Sequence, residues 1–233
     1  MKMRRLNNLI LMSLILTVIC LPWNAAASTF DTNDTINANN ANYWPFGDAN
    51  NSRYQLWMSQ SMLSGQTGRI DQITHFTYSE TRNSSYGLEI YASTTSTLAA
   101  DLSTDYDLNS GSNRTLIFSG ILNLLATPTL TIGTSGDFVF DGSGNLLLDY
   151  VFKSFENVDN SYDGPRWQSV GDNTDFYRIT DHQVEHAGVY SEGAIRTAIE
   201  FGNPVPTPEP STFILLGAGL IGLVSLGRKR MKA

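Results

Sequence analysis

His182, Glu185 and His186 stand in the order H-x-x-E-H, a spacing with which two imidazoles hold zinc and a glutamate acts as base. That chemistry needs a helix, which sets both histidines on one face, and a third ligand farther along. The flanking "YRITD" and "AGVYSEG" are loop-like, and downstream only Glu192, Glu200 and Glu209 remain. Glu200 falls in an expected strand and Glu209 in a proline-rich tail. The motif therefore reads as a chance match in an exposed loop. Asp141, Ser143 and Asn145 have the alternate spacing that opens a calcium loop, but Leu146 stands where its glycine belongs and Phe152 where its glutamate belongs. "DGSG" reads instead as a hairpin turn in which glycine supplies positive φ. Asp101, Asp105 and Asp107 make a second acidic cluster. No cofactor is expected, with a structural calcium on these loops left open.

Four aromatic residues, Tyr162, Trp167, Tyr177 and Tyr190, are the candidates for a sugar-stacking platform; the competing reading is ordinary half-buried packing. His75 sits at a polar position of a strand pattern and is expected at the surface. There is no G-x-S-x-G elbow and no P-loop, and no pair of carboxylates has a distinctive context. The protein is expected not to be an enzyme.

The elements that would position such residues begin after an N-terminal leader. Lys2, Arg4 and Arg5 precede an apolar run from Leu6 to Leu21, and Ala25, Ala26 and Ala27 stand before Ser28. Residues 1–27 therefore read as a signal peptide cut between Ala27 and Ser28. The single cysteine, Cys20, lies inside it, so the mature chain forms no disulfide and relies on a hydrophobic core. Of 15 basic residues three lie in the leader and four in the last six positions, which leaves eight against 22 acidic residues and a net charge of −14 between. Such a surface excludes phosphate-backbone binding, so no nucleic-acid partner is expected.

Residues 28–52 are rich in Asn, Asp and Thr and read as a loosely ordered arm, with "YWPFG" as an aromatic latch or as part of the disorder. From Arg53 to Gly202 short strands follow one another: "RYQLWM", "RIDQITHFTYSE" with one break of phase suggesting a bulge, "YGLEIYAST", "TLIFSG", "LTIG", "DFVFDG", "NLLLDYVFKSF" and "IRTAIEFG". Only "TSTLAADLSTDY" offers a helical turn or two. Strands without intervening helices predict one antiparallel β-sandwich over 53–202, with "NLLLDYVF" as a central strand covered on both faces.

Residues 203–210, "NPVPTPEP", form a stiff spacer; residues 211–227 are free of charge, at the short end for a membrane span; residues 228–233 carry Arg228, Lys229, Arg230 and Lys232. By the positive-inside rule the basic end stays in the cytoplasm and the sandwich lies outside. This order of elements resembles the PEP-CTERM sorting signal of exopolysaccharide-producing Gram-negative bacteria. Pro208, Glu209 and Pro210 match its motif, Ser211 to Gly227 its span, and Arg228, Lys229 and Arg230 its basic stop. The resemblance implies an exosortase, a membrane-embedded cysteine transpeptidase, as partner, and processing at or near the motif. The intermediate would sit in the inner membrane before the product reaches the cell surface or matrix.

The body resembles, more weakly, exported sandwich proteins that share this tail. "RYQLWM", "IFSG", "GAIRTAIEF" and the phrase with Phe138, Phe140, Asp141, Asn145, Leu146, Leu147, Leu148 and Asp149 carry that likeness. It implies a jelly-roll-like fold and no established activity. The expected role is structural or adhesive at the cell surface or in the exopolysaccharide matrix of a biofilm; the alternative is a carbohydrate-binding module for the matrix polysaccharide.

Overall fold

A computed structural model describes residues 27–34, 40–42, 45–46, 52–78, 84–124, 127–135, 137–156, 166–171, 174–180 and 188–202. The leader up to residue 26, Tyr162, the H-x-x-E-H motif and everything from residue 203 onward, the expected membrane span included, lie outside them. Residues 26–202 form one unit. Its described part is all-β and antiparallel, with almost no helix.

The larger sheet has six strands in the order β12 (Gly188–Tyr190), β11 (Phe176–Thr180), β3 (Arg53–Met58), β9 (Asn145–Glu156), β5 (Ser84–Thr95) and β6 (Thr115–Leu124). The second runs β1 (Ser28–Asp31), β13 (Thr197–Gly202), β4 (Gly68–Phe76) and β7 (Thr129–Gly133), with β8 (Val139–Phe140) also paired to β4. A short ribbon joins β2 (Asn40–Asn42) to β10 (Trp167–Ser169). Side chains from both large sheets meet in one apolar cluster, among them Leu56, Ile90, Leu148 and Tyr150 from the first and Ile70, Ile73, Ile199 and Phe201 from the second.

"NLLLDYVF" behaves as its composition requires. Leu146 through Tyr150 are all buried, because β9 lies between β3 and β5 and both of its faces are covered. Leu146, Leu148 and Tyr150 enter the main cluster, while Leu147 packs on the opposite face with Trp57, Tyr106 and Ile179. That opposite face is roofed by residues 97–114, which include a 3-10 turn at Ala99–Asp101 and a one-turn helix, α1 (Tyr106–Asn109).

The phase break expected in β4 is a bulge. Glu200 pairs with Gln72 but Phe201 with Ile70, so Asp71 is the extra residue. Ile70 and Ile73 consequently both face inward, and so does His75, whereas Phe76 and Tyr78 turn outward. The surface position expected for His75 is thus corrected: the bulge resets the alternation, and the histidine is fully buried.

The arm expected to be loosely ordered is, in its described parts, built into the fold. Ser28 to Asp31 pair with Phe201 to Ala198 as the edge strand β1, Phe30 enters the core, and Phe46 of "YWPFG" is fully buried against His75, Tyr86, Tyr150, Phe152 and Trp167. One apolar residue in a polar strand gives no periodic signal, and the bond from the Tyr86 hydroxyl to the Phe46 carbonyl is long-range.

Candidate functional site

Two polar centres lie on the two faces of the six-stranded sheet. Between the sheets, Tyr150 Oη and His75 Nε2 are 3.0 Å apart, and His75 Nδ1 and Thr197 Oγ1 are 3.2 Å apart. Thr197 donates its hydroxyl to the Ile195 carbonyl at 2.9 Å. One proton arrangement satisfies all three contacts: Tyr150 donates to Nε2, and Nδ1–H donates to Thr197. Desolvation holds the His75 pKa down, at about 3, so the ring is neutral. Tyr54, equally buried, has its phenol pushed up to about 12, and accepts from the Ile195 N–H at 3.3 Å. These groups are buried and bond to one another. Their arrangement tethers the sheets.

On the outer face the chemistry is ionic. Asp149, buried on β9, accepts from Arg53 Nε at 2.8 Å and Nη2 at 2.7 Å, and from Arg114 Nη2 at 2.9 Å. Arg114 stacks on Tyr91, 3.4 Å from the ring centre, and Arg53 reaches on to Asp107 at 2.9 Å. Burial lowers the Arg53 pKa, but its bonds to the two carboxylates outweigh this and raise it. Gln55 completes the network: its amide donates to the Tyr106 carbonyl and its oxygen accepts from Asn109, each at 3.0 Å. The clamp fastens residues 97–114 to the sheet. A lone aspartate inside "LLLDYVF" is the sequence signal for such a buried, paired carboxylate, and the role was not read from it.

Among the described residues the aromatic platform is not assembled, and Tyr162 lies outside them. Trp167 is fully buried in the main cluster and offers no face to a ligand. Tyr177 lies on the outer face against Trp57, with ring centres 5.6 Å apart, while Tyr190 pairs with Arg178 on the other face and takes its guanidinium over the ring at 4.4 Å. Adjacent residues of a strand point to opposite faces, so Tyr177 and Tyr190 cannot share a surface.

The acidic clusters have structural duties. Asp141 accepts from the backbone N–H and the hydroxyl of Ser143 at 2.9 and 2.7 Å, bonds that hold its carboxyl below the usual range. Asn145 instead ties two loops together, accepting from the Gln60 N–H and donating to the Thr97 carbonyl. Asp105 caps α1 and Asp107 pairs with Arg53. Among the described residues no three His, Cys, Asp or Glu side chains converge on a common point.

The same end of the fold holds two clefts that the sequence did not announce. One, of about 500 Å³, lies between the end of β5, the 110–112 loop and the 143–144 turn. The other, of about 350 Å³, lies between Gln60, Leu63, Gly65 and Gly142. No charged residue lines either cleft.

The described chain ends at Gly202, on a strand held between β1 and β4. Ser28, the residue expected to follow signal cleavage, pairs with Phe201 beside it, and the preceding Ala27 is exposed. Beyond Gly202, residues 206–230 match the PEP-CTERM protein-sorting motif. The tail is a PEP-CTERM sorting signal. The match spans Pro208, Glu209 and Pro210, the uncharged run, and Arg228, Lys229 and Arg230. A PEP-CTERM tail implies export, sorting to the cell surface and processing by exosortase. No curated protein and no solved structure is significantly similar to the chain. Among the described residues no helix is long and apolar enough to cross a membrane.

Proposed function

We propose that this is a non-enzymatic exported protein: a jelly-roll-like β-sandwich delivered by a signal peptide, held briefly in the inner membrane of a Gram-negative bacterium by residues 211–227, and released from that anchor by exosortase. It then serves a structural or adhesive role at the cell surface or in the exopolysaccharide matrix. The observation that carries the reading is the PEP-CTERM match over residues 206–230. The body is consistent with it: two sheets with a shared core, and ionisable groups on the two faces of the larger sheet that are paired with one another. Deleting the exosortase of the producing bacterium tests the proposal. The full-length chain should accumulate in the membrane fraction; an unchanged distribution and size would refute it.

Carbohydrate binding is the second reading. What favours it is the pair of uncharged clefts on a body that is otherwise strongly acidic. Its test is cosedimentation of the exported protein with polysaccharide isolated from the same cells. Failure to cosediment at any salt concentration would dismiss it.

A further inference from the structure

Among the described residues, one sheet edge is unlike the others. β6 closes the larger sheet and has ten residues, whereas the other edge strands of the two large sheets, β12, β1, β7 and β8, have five or fewer. A strand edge presents a row of backbone donors and acceptors, which proteins commonly blunt with charge, proline or a bulge. The β6 sequence, "TLIFSGILNL", has no charged residue and no proline. Its bulge lies at Ile117, between the pairs Leu116–Tyr91 and Phe118–Ile90. There the Ser135 N–H also donates to the Ile117 carbonyl, at 2.9 Å. Among the described residues no other backbone bond reaches β6 from outside its sheet, so Phe118 to Leu124 form the open part of the edge.

The side chains there are neutral and partly unpartnered. Ser119, Gly120 and Ile121 are exposed in succession, and Ile121, at 72%, is the most exposed large apolar residue described. Gly87 stands opposite Ile121 on β5 and gives it no cross-strand neighbour. A side chain at Gly87 is sterically barred, since a Cβ would lie 2.4 Å from Ser154 Oγ. Glu89, opposite Ser119, is paired with Lys153 at 3.0 Å. The adjoining edge of the second sheet, β7, reads "TLTIG" and is uncharged as well. On a strongly acidic body, this flank is where two copies meet with least repulsion.

The strand also matches itself. Two identical antiparallel strands pair about a twofold axis, and the position of that axis decides which residues meet. Core face must lie beside core face, which holds when the axis passes through a residue. Phe118, Leu122 and Leu124 pack on the core, and Ile121 faces out. An axis through Ile121 uses all of Phe118 to Leu124. It sets Phe118 opposite Leu124, Ser119 opposite Asn123, Gly120 opposite Leu122, and Ile121 opposite its own copy. No charge is buried, and the exposed isoleucine gains an apolar neighbour.

We propose that the β6 edge binds a second copy of this chain, antiparallel and in this register, so that two six-stranded sheets become one. A partner selected by charge would find none on this strand to read. The test is sedimentation of the exported protein, recovered from its producing bacterium at micromolar concentration. The wild type should be a dimer. Ile121→Lys sets two positive charges face to face at the axis and should weaken association about tenfold or more, with unchanged circular dichroism. Leu98→Lys, at a residue 63% exposed beyond the end of β5, should leave the dimer intact. Ile121→Cys should join the copies covalently on oxidation or with a short thiol cross-linker, because the other cysteine, Cys20, lies in the leader; Leu98→Cys should not. A wild type that is monomeric at about 100 μM would overturn the proposal. So would a complex with a different chain, a dimer that Ile121→Lys leaves intact, or equal loss from both lysine variants. A dimer that Ile121→Cys fails to cross-link would overturn the register.

Discussion

The body and the tail use their polar residues in opposite ways. In the body, His75, Tyr150 and Thr197 bond to one another, and Asp149 is gripped by two arginines that also stack on Tyr91 and Tyr106. These groups are occupied by the fold, so removing one removes stability. In the tail, Pro208, Glu209, Pro210 and the basic cluster follow one another along the chain, where their order alone makes the match. Residues that a second protein reads in sequence need no fold to bring them together. Stability and sorting should therefore be separable by mutation.

The largest expected effect is on sorting. Replacing Pro208, Glu209 and Pro210 together by alanine should abolish processing and leave the melting temperature of the body unchanged, as calorimetry and gel mobility would record. A lowered melting temperature would show that the tail belongs to the fold, and the separation would collapse.

Next comes the outer-face clamp. Asp149→Ala leaves Arg53 and Arg114 without their shared carboxylate, and breaking a buried pair costs roughly 3–5 kcal/mol. Both guanidinium groups keep some access to water, which favours the low end, about 3 kcal/mol in chemical denaturation. The folded fraction should still be processed normally. Processing lost in proportion to the folded fraction fits the comparison; processing lost from molecules that remain folded would break it.

His75 predicts a pH dependence. Its native pKa is about 3 against an ordinary 6.5, so below pH 6.5 the unfolded chain takes up a proton that the native chain refuses. The stability held above pH 6.5 should therefore fall by about 1.4 kcal/mol per pH unit as the pH drops towards 3, and the contribution should level off below that. His75→Gln should lower stability at pH 7 yet flatten this slope by about one proton. An unaltered slope in denaturation curves between pH 6 and 4 would mean that the ring is not held neutral.

The smallest effect concerns Asp141. Losing its bonds to Ser143 in Asp141→Ala should cost about 0.5–1 kcal/mol, equally with calcium and with chelator. A cost seen only with calcium would make Asp141 a metal ligand and turn an occupied residue into a presented one.

Legibility in the sequence divides along the same line. The tail could be read whole, because its signal is local. So could β3, whose bounds coincide with "RYQLWM", and β9, whose unbroken apolar run allows one placement only. The bulge in β4 was visible as a break of phase, yet its consequence for His75 was not, since that depends on pairing with β13. Strands β1, β2, β10, β11 and β12 have three to five residues each, too few for alternation to stand out, and they form only against distant partners. Trp167 looked like a ligand platform because composition cannot say which aromatics lie inside. The cleft at the end of β5 was illegible for a related reason: its walls come from three segments spread over about 50 residues, and serine and threonine are ordinary loop residues.

The measurement that tests the central claim most directly is the intact mass of the protein from its producing bacterium, cell-associated and secreted fractions apart, beside the Pro208-Glu209-Pro210 alanine variant. The account predicts a wild-type chain that starts at Ser28 and ends at or near the motif, with any added mass at the new C-terminus naming its attachment, and a variant that keeps its tail. A wild-type chain that retains residues 211–233 would contradict it, and the tail would be an anchor alone.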